Sequence, residues 1–118
     1  ALGLFRAVGA RLGEANVLQA QGDASLRAGQ VEQGMALLEQ ARRLYAAIGD
    51  RVGLSNVGIV LAHHAATQGD LAAAIEYVQP AADFGTEINH PLGAQLQQQI
   101  EQWQARLEQQ AAMVVPPA

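Results

Sequence analysis

An all-α fold, an α–α superhelix of antiparallel helix pairs stacked as a solenoid, is the architecture this sequence predicts. Two observations carry it. Apolar residues return every three or four positions along most of the chain, and glycines recur at an offset of forty: Gly13, Gly53 and Gly93 each follow an apolar residue, Leu12, Val52 and Leu92. The same offset pairs Val8-Gly9 with Ile48-Gly49, Arg11 with Arg51, Asn16-Val17 with Asn56-Val57, Gly29 with Gly69 and Ala41 with Ala81.

Each period reads as two helices, because Gly29-Gln30 and Gly69-Asp70 interrupt the apolar stripes. Val31, Met35, Leu38, Ala41, Leu44 and Ile48 form one stripe; Leu71, Ile75, Val78, Ala81 or Ala82, and Phe84 repeat it. Gly49 suits the left-handed residue that closes a helix, and the Asp50 carboxylate can accept the free amide hydrogens that open the next. The expected helices are 1–8, 11–28, 31–48, 51–68, 71–87 and 91–111. Pro80 falls inside the fifth, where it deletes one backbone hydrogen bond and predicts a kink between Glu76 and Pro80.

Residues 1–9 align with 41–49, so the chain is expected to open inside the second helix of a preceding repeat. The layout is one repeat domain over 1–112, with repeats at 10–49 and 50–89, a capping helix over 90–112 and a tail over 113–118. A helix that has lost its partner bares a packing face, which predicts a homodimer of the fragment stacked through residues 1–8 and 31–48. The last segment differs: Leu96, Ile100, Trp103 and Leu107 make one narrow stripe on a glutamine-rich helix, as the end of an array requires, and its register slips by one or two residues from the forty-residue offset. Trp103 is expected in the core, and His90 at a helix start.

On these residues the chain resembles the tetratricopeptide repeat (TPR) family in its forty-residue-period variety. Leu18, Gly22, Gly29, Val31, Leu38 and Ala41 in the first unit, and Leu61, Ala62, Gly69, Leu71, Ala74, Val78 and Ala81 in the second, fall where that family alternates large and small residues. Ser25 and Ala65 stand where the family commonly has tyrosine, Gly34 where it has alanine, and Gly58 where it has a bulky residue. Forty is also close to the period of armadillo and HEAT arrays, which remain open as alternatives.

Composition narrows the function. At 118 residues the chain can bury one modest core. Charged residues make up 15% and the net charge is -4, with arginine the only strong cation, so a phosphate-binding face is disfavoured and no nucleic acid is expected as partner. No cysteine is present, which removes disulfides, thiolate zinc sites and cysteine nucleophiles. No apolar run reaches membrane-spanning length, no glycine-rich phosphate loop occurs, and a cytoplasmic chain without membrane partner, metal or other cofactor is expected. His63-His64 with Asp23 is the nearest approach to a metal site, but consecutive helical residues diverge by about 100 degrees and cannot easily share one ion. No catalytic set emerges, so an enzyme is not expected.

The resemblance implies that the first helix of each pair lines an inner groove holding a protein or peptide. On that stripe lie Asn16, Gln19, Asp23 and Arg27, with Asn56, Ile59, His63 and Thr67 forty residues on. Asparagine and glutamine can pair with an extended backbone as donor and acceptor, while Asp23 and Arg27 select charge. The recurrence of asparagine at 16 and 56 fits a structural contact between adjacent first helices equally well. A scaffold for protein–protein interaction is the function these features imply; the alternative is a regulatory or sensor arm of a larger signalling protein or transcriptional regulator.

Overall fold

The computed structural model describes the backbone of residues 2–113 and the side chains of residues 7–113. These residues form five helices and the turns between them: α1 Leu2–Arg27, α2 Val31–Ile48, α3 Arg51–Thr67, α4 Leu71–Glu87 and α5 Pro91–Met113. The all-α class is as expected, and no strand occurs among the described residues.

The turns are one local structure used four times. Gly29, Gly49, Gly69 and Asn89 adopt positive φ, at 81°, 73°, 83° and 56°. Their numbers step by twenty, half the offset read from the glycines. In each turn the next residue donates its N–H back to the helix just ended: Gln30 to the Ser25 carbonyl at 2.8 Å, Asp50 to Tyr45 at 2.9 Å, Asp70 to Ala65 at 2.9 Å and His90 to Gly85 at 2.8 Å. This closure satisfies a carbonyl that the helix end would leave free, and it needs a residue that tolerates left-handed backbone, hence glycine or asparagine. The following helix is then capped by a side chain. Asp50 accepts from the Gly53 amide and Asp70 from the Ala73 amide, each at 3.1 Å, while His90 Nδ1 accepts from Leu92 at 3.1 Å, the helix-start role expected of it. Gln30 makes no such bond.

The break expected between helices 1–8 and 11–28 is absent: α1 runs unbroken through Gly9 and Ala10. The reason lies in one residue. Where Asp50 and Asp70 follow their glycines, Ala10 follows Gly9, and alanine offers no cap while favouring helix continuation more than any other residue. Residues 2–9 are therefore the first turns of α1 rather than a separate element. The side chains of residues 1–6, on which the stacked dimer would depend, lie outside the described residues. So do tail residues 114–118, whereas Met113 ends α5. The helix α4 continues through Pro80 from Leu71 to Glu87, so proline costs the Glu76 carbonyl its intrahelical donor without ending the helix.

Each helix packs on its neighbours in the chain: α1 on α2, α2 on α3, α3 on α4 and α4 on α5. The molecule measures 66 × 35 × 25 Å. Where one core was expected, two apolar clusters form. One gathers Ala15, Leu38, Ala41, Tyr45, Val57 and Leu61; the other gathers Ala62, Leu71, Ala74, Val78, Ile100 and Trp103 with small neighbours. They are not independent, since α3 supplies both and Tyr77 packs against both. Alanine is frequent in each, which lets helix axes come close and makes the few large side chains decisive. On α5 the predicted stripe is the buried one: Ile100 and Trp103 are inside, Leu96 and Leu107 half-buried. The slip in register is also present, because the forty-residue counterparts of buried Val57 and Leu61 are Gln97 and Glu101, neither of them buried.

Candidate binding face

The odd-numbered helices share a face with open hollows between them. Between α1 and α3 a hollow is walled by Leu26, Ile59, Val60, His63, His64 and Thr67. Between α3 and α5 a second is walled by Ile59, His63, Leu92, Gln95, Leu96 and Gln99, with Ala62, Val78 and Trp103 also reaching it. Ile59 lines both, and also a third near the α4–α5 turn, so the α3 stripe is the spine of the face.

The predicted residues separate into two groups. On α3, Asn56 and His63 are exposed and Ile59 half-buried, all in the walls of hollows. Thr67 is there too, although its hydroxyl donates to the His64 carbonyl at 2.7 Å and so ties off the helix end. On α1 the expectation of free recognition groups fails for two residues. Asn16 Oδ1 lies 2.6 Å and Gln19 Oε1 2.8 Å from the Tyr45 hydroxyl. A phenol has one hydrogen to donate, so it serves one amide oxygen at a time, and the other amide can turn its NH2 towards the phenol oxygen. Asn16 thus has a structural contact, made with the second helix of its own pair and not between adjacent first helices. Asp23 is half-buried and Arg27 exposed at the carboxyl end of α1, where a cation is favoured by the helix dipole. The α1 residue in the wall of the hollow is Leu26, not either of these.

Sequence reasoning missed the contribution of α5. Leu92, Gln95, Leu96 and Gln99 follow the i, i+3, i+4, i+7 spacing of one helix face. That spacing was visible, but the glutamine run reads naturally as a solvated surface.

The ion pairs among the described residues lie on α2 and between α3 and α4, outside the hollows. Glu39 bonds Arg42, whose guanidinium lies 5.7 Å from the centre of the Tyr77 ring, and Arg42 holds the Glu39 carboxyl below the usual carboxylate range. Arg51 reaches from α3 to α4, 2.7 Å from Glu87 and 4.6 Å from the Phe84 ring centre. Both members of the Arg51–Glu87 pair are largely exposed, so it contributes little to stability. His63 is exposed while His64 is half-buried, and among the described residues no group of three or more histidine and carboxylate side chains is placed to hold a metal ion. No described helix is long and apolar enough to cross a membrane.

No family model, curated protein or solved structure matches this chain.

Proposed function

We propose that this chain is a solenoid segment of the TPR-like kind, serving as a protein–protein interaction scaffold that binds a peptide or helix along the face of α1, α3 and α5. The observation that carries this reading is the run of hollows from Leu26 across Ile59 and His63 to Leu96 and Gln99. Apolar floors flanked by histidine and glutamine suit a partner that inserts side chains while its backbone pairs with amide groups. The sequential packing of the helices and the turn repeated every twenty residues support the solenoid, in which each unit rests on the next and leaves one long side open. The same composition favours a neutral or apolar partner segment over an acidic tail, because the chain has no lysine and an overall negative charge.

A displayed peptide library selected on the immobilised protein tests this. Enriched peptides are then titrated into the native protein and into a His63→Glu, Gln99→Arg variant, both changes lying at the wall of the α3–α5 hollow. Binding by the native protein and its loss in a variant of unchanged helicity is the expected result. Failure to enrich any peptide, or equal affinity for both proteins, would sink the assignment.

A further inference from the structure

The chain has three histidines, His63, His64 and His90, and all of them stand in the walls of the hollows. Among the described residues no arginine, aspartate or glutamate does so. In the antiparallel stack, the end of α3 that bears His63 and His64 lies beside the end of α1, the starts of α2 and α4 and the middle of α5. The charged groups there are Asp23 and Arg27 on α1, Glu32 on α2, Asp70 and Glu76 on α4, and Glu101 on α5, none of which lines a hollow. Asp70 is engaged as the cap of α4, and the Tyr77 ring packs near Arg42. No ion pair among the described residues includes a histidine.

Histidine is the side chain that ordinarily changes charge between pH 5 and 8. The charge of this face is therefore set by its imidazoles alone. With the rings neutral, the walls hold no cation to attract a carboxylate and no carboxylate to attract a cation, so charge complementarity selects an uncharged apolar segment. Such a segment, laid across Ile59 towards Leu96, takes water away from His63 and His64. A protonated ring under that cover loses its hydration, and the walls offer it only neutral acceptors such as Gln95 and Gln99 in return. His90 differs, because its Nδ1 accepts the Leu92 amide and its ring serves the start of α5.

We propose that His63 and His64 place binding along this face under proton control: an uncharged apolar segment of a partner protein is held while both rings are neutral and released when they take up protons. The inference rests on the binding reading given above and adds its regulation. The sign follows from burial, which favours the neutral ring in the complex. Affinity is complete above the histidine range and is lost as pH falls through it. A free imidazole is about nine-tenths protonated at pH 5.5, so a partner that needs one ring neutral loses roughly tenfold in affinity there.

The test begins with a displayed peptide library selected on the native protein at pH 8. Enriched sequences are expected to be poor in charged residues. One without ionisable side chains is then synthesised with blocked ends, so that any pH dependence belongs to the protein. Its dissociation constant, measured by calorimetry, should rise roughly tenfold or more between pH 8 and pH 5.5, with the helical circular dichroism unchanged. His63 lines both hollows, so His63→Gln alone should cut that rise at least roughly threefold, and His63→Gln with His64→Gln should leave the affinity flat; if the double variant does not fold, the single one decides. His90→Asn, which keeps a capping side chain at its turn, should retain the full pH dependence. Equal binding at the two pH values, or a rise that persists in the folded double variant, overturns the proton control and leaves the binding reading standing. Failure to enrich any peptide overturns both, and enrichment of acidic peptides at pH 8 overturns the uncharged occupant on which the control depends.

Discussion

Gly22 and Gly34 face each other where α1 crosses α2, so closely that a methyl on Gly34 would lie 2.9 Å from the Gly22 carbonyl oxygen and one on Gly22 3.1 Å from that of Gly34. Leu26 and Leu38 close over the contact. The absence of a side chain at both positions sets the spacing of the first helix pair, which is why glycine at 34, where the resembling family has alanine, is more than a tolerated variant.

Gly34→Ala is therefore expected to destabilise the fold. Overpacking costs about 1–3 kcal/mol and exceeds the gain of about 1 kcal/mol from alanine's helix propensity at its upper range. Gly9→Ala is the opposite case, since Gly9 is helical, exposed and has nothing within 4 Å of an added methyl. It should raise stability by about 0.5–1 kcal/mol. Urea unfolding of both variants checks the pair, and a Gly9→Ala protein less stable than the parent would contradict the continuous α1.

The caps give a second contrast. Asp50→Ala removes the acceptor of the Gly53 amide and should cost about 1 kcal/mol. Gln30 heads α2 without a side-chain bond, and Gln30→Asp supplies one, so a gain of about 0.5–1 kcal/mol is expected. Thermal melts followed by circular dichroism would show the two shifts in opposite directions.

Alkaline conditions report on Tyr45. Burial, and after it the charges of Asp50 and Asp23, raise its pKa above the ordinary 10.0. The folded chain therefore holds the phenolic proton more tightly than the unfolded chain. This contribution is complete below about pH 10 and is lost as pH rises towards the higher folded value. Tyr45→Phe should lower stability at neutral pH by about 1 kcal/mol, the worth of its hydrogen bond, and should flatten the decline above about pH 10. Tyr77, raised chiefly by burial as well, keeps part of the slope. Urea midpoints measured across that range would expose an unchanged slope, which would mean that Tyr45 is not buried as described.

Trp103 anchors the end of the chain. It is 8% exposed and packs with Ile100 against Val78 and its neighbours. Trp103→Ala should cost about 3–5 kcal/mol. Because α5 has only α4 as a major packing partner, the loss should appear first as faster amide hydrogen exchange along α5.

Much of the fold was legible because its signals are local. A positive-φ glycine, an aspartate after it and apolar residues every three or four positions act within a few residues of themselves, so the helices and turns followed from reading along the chain. The missing stop at Gly9 is legible too, in Ala10, which offers no cap where Asp50 and Asp70 follow their glycines. The site was less so. The α3 stripe of Asn56, Ile59 and His63 lies where helical spacing put it, but nothing near Asn16 or Gln19 announces that Tyr45, 29 and 26 residues away, binds them both.

The sequence by itself determined the helical class, the repeat offset, the turns and the buried stripe of α5, since each depends on hydrogen bonds and side chains close in the chain. Only the tertiary structure decided which polar groups remain free, which glycines touch and where hollows open. Those outcomes depend on distances between helices, and the distances are set by all the packed side chains together. Gly85 shows the difference: in the sequence it is one more glycine, and in the fold it lies so close to Gly93 that a methyl group on it would be 2.7 Å from the Gly93 Cα.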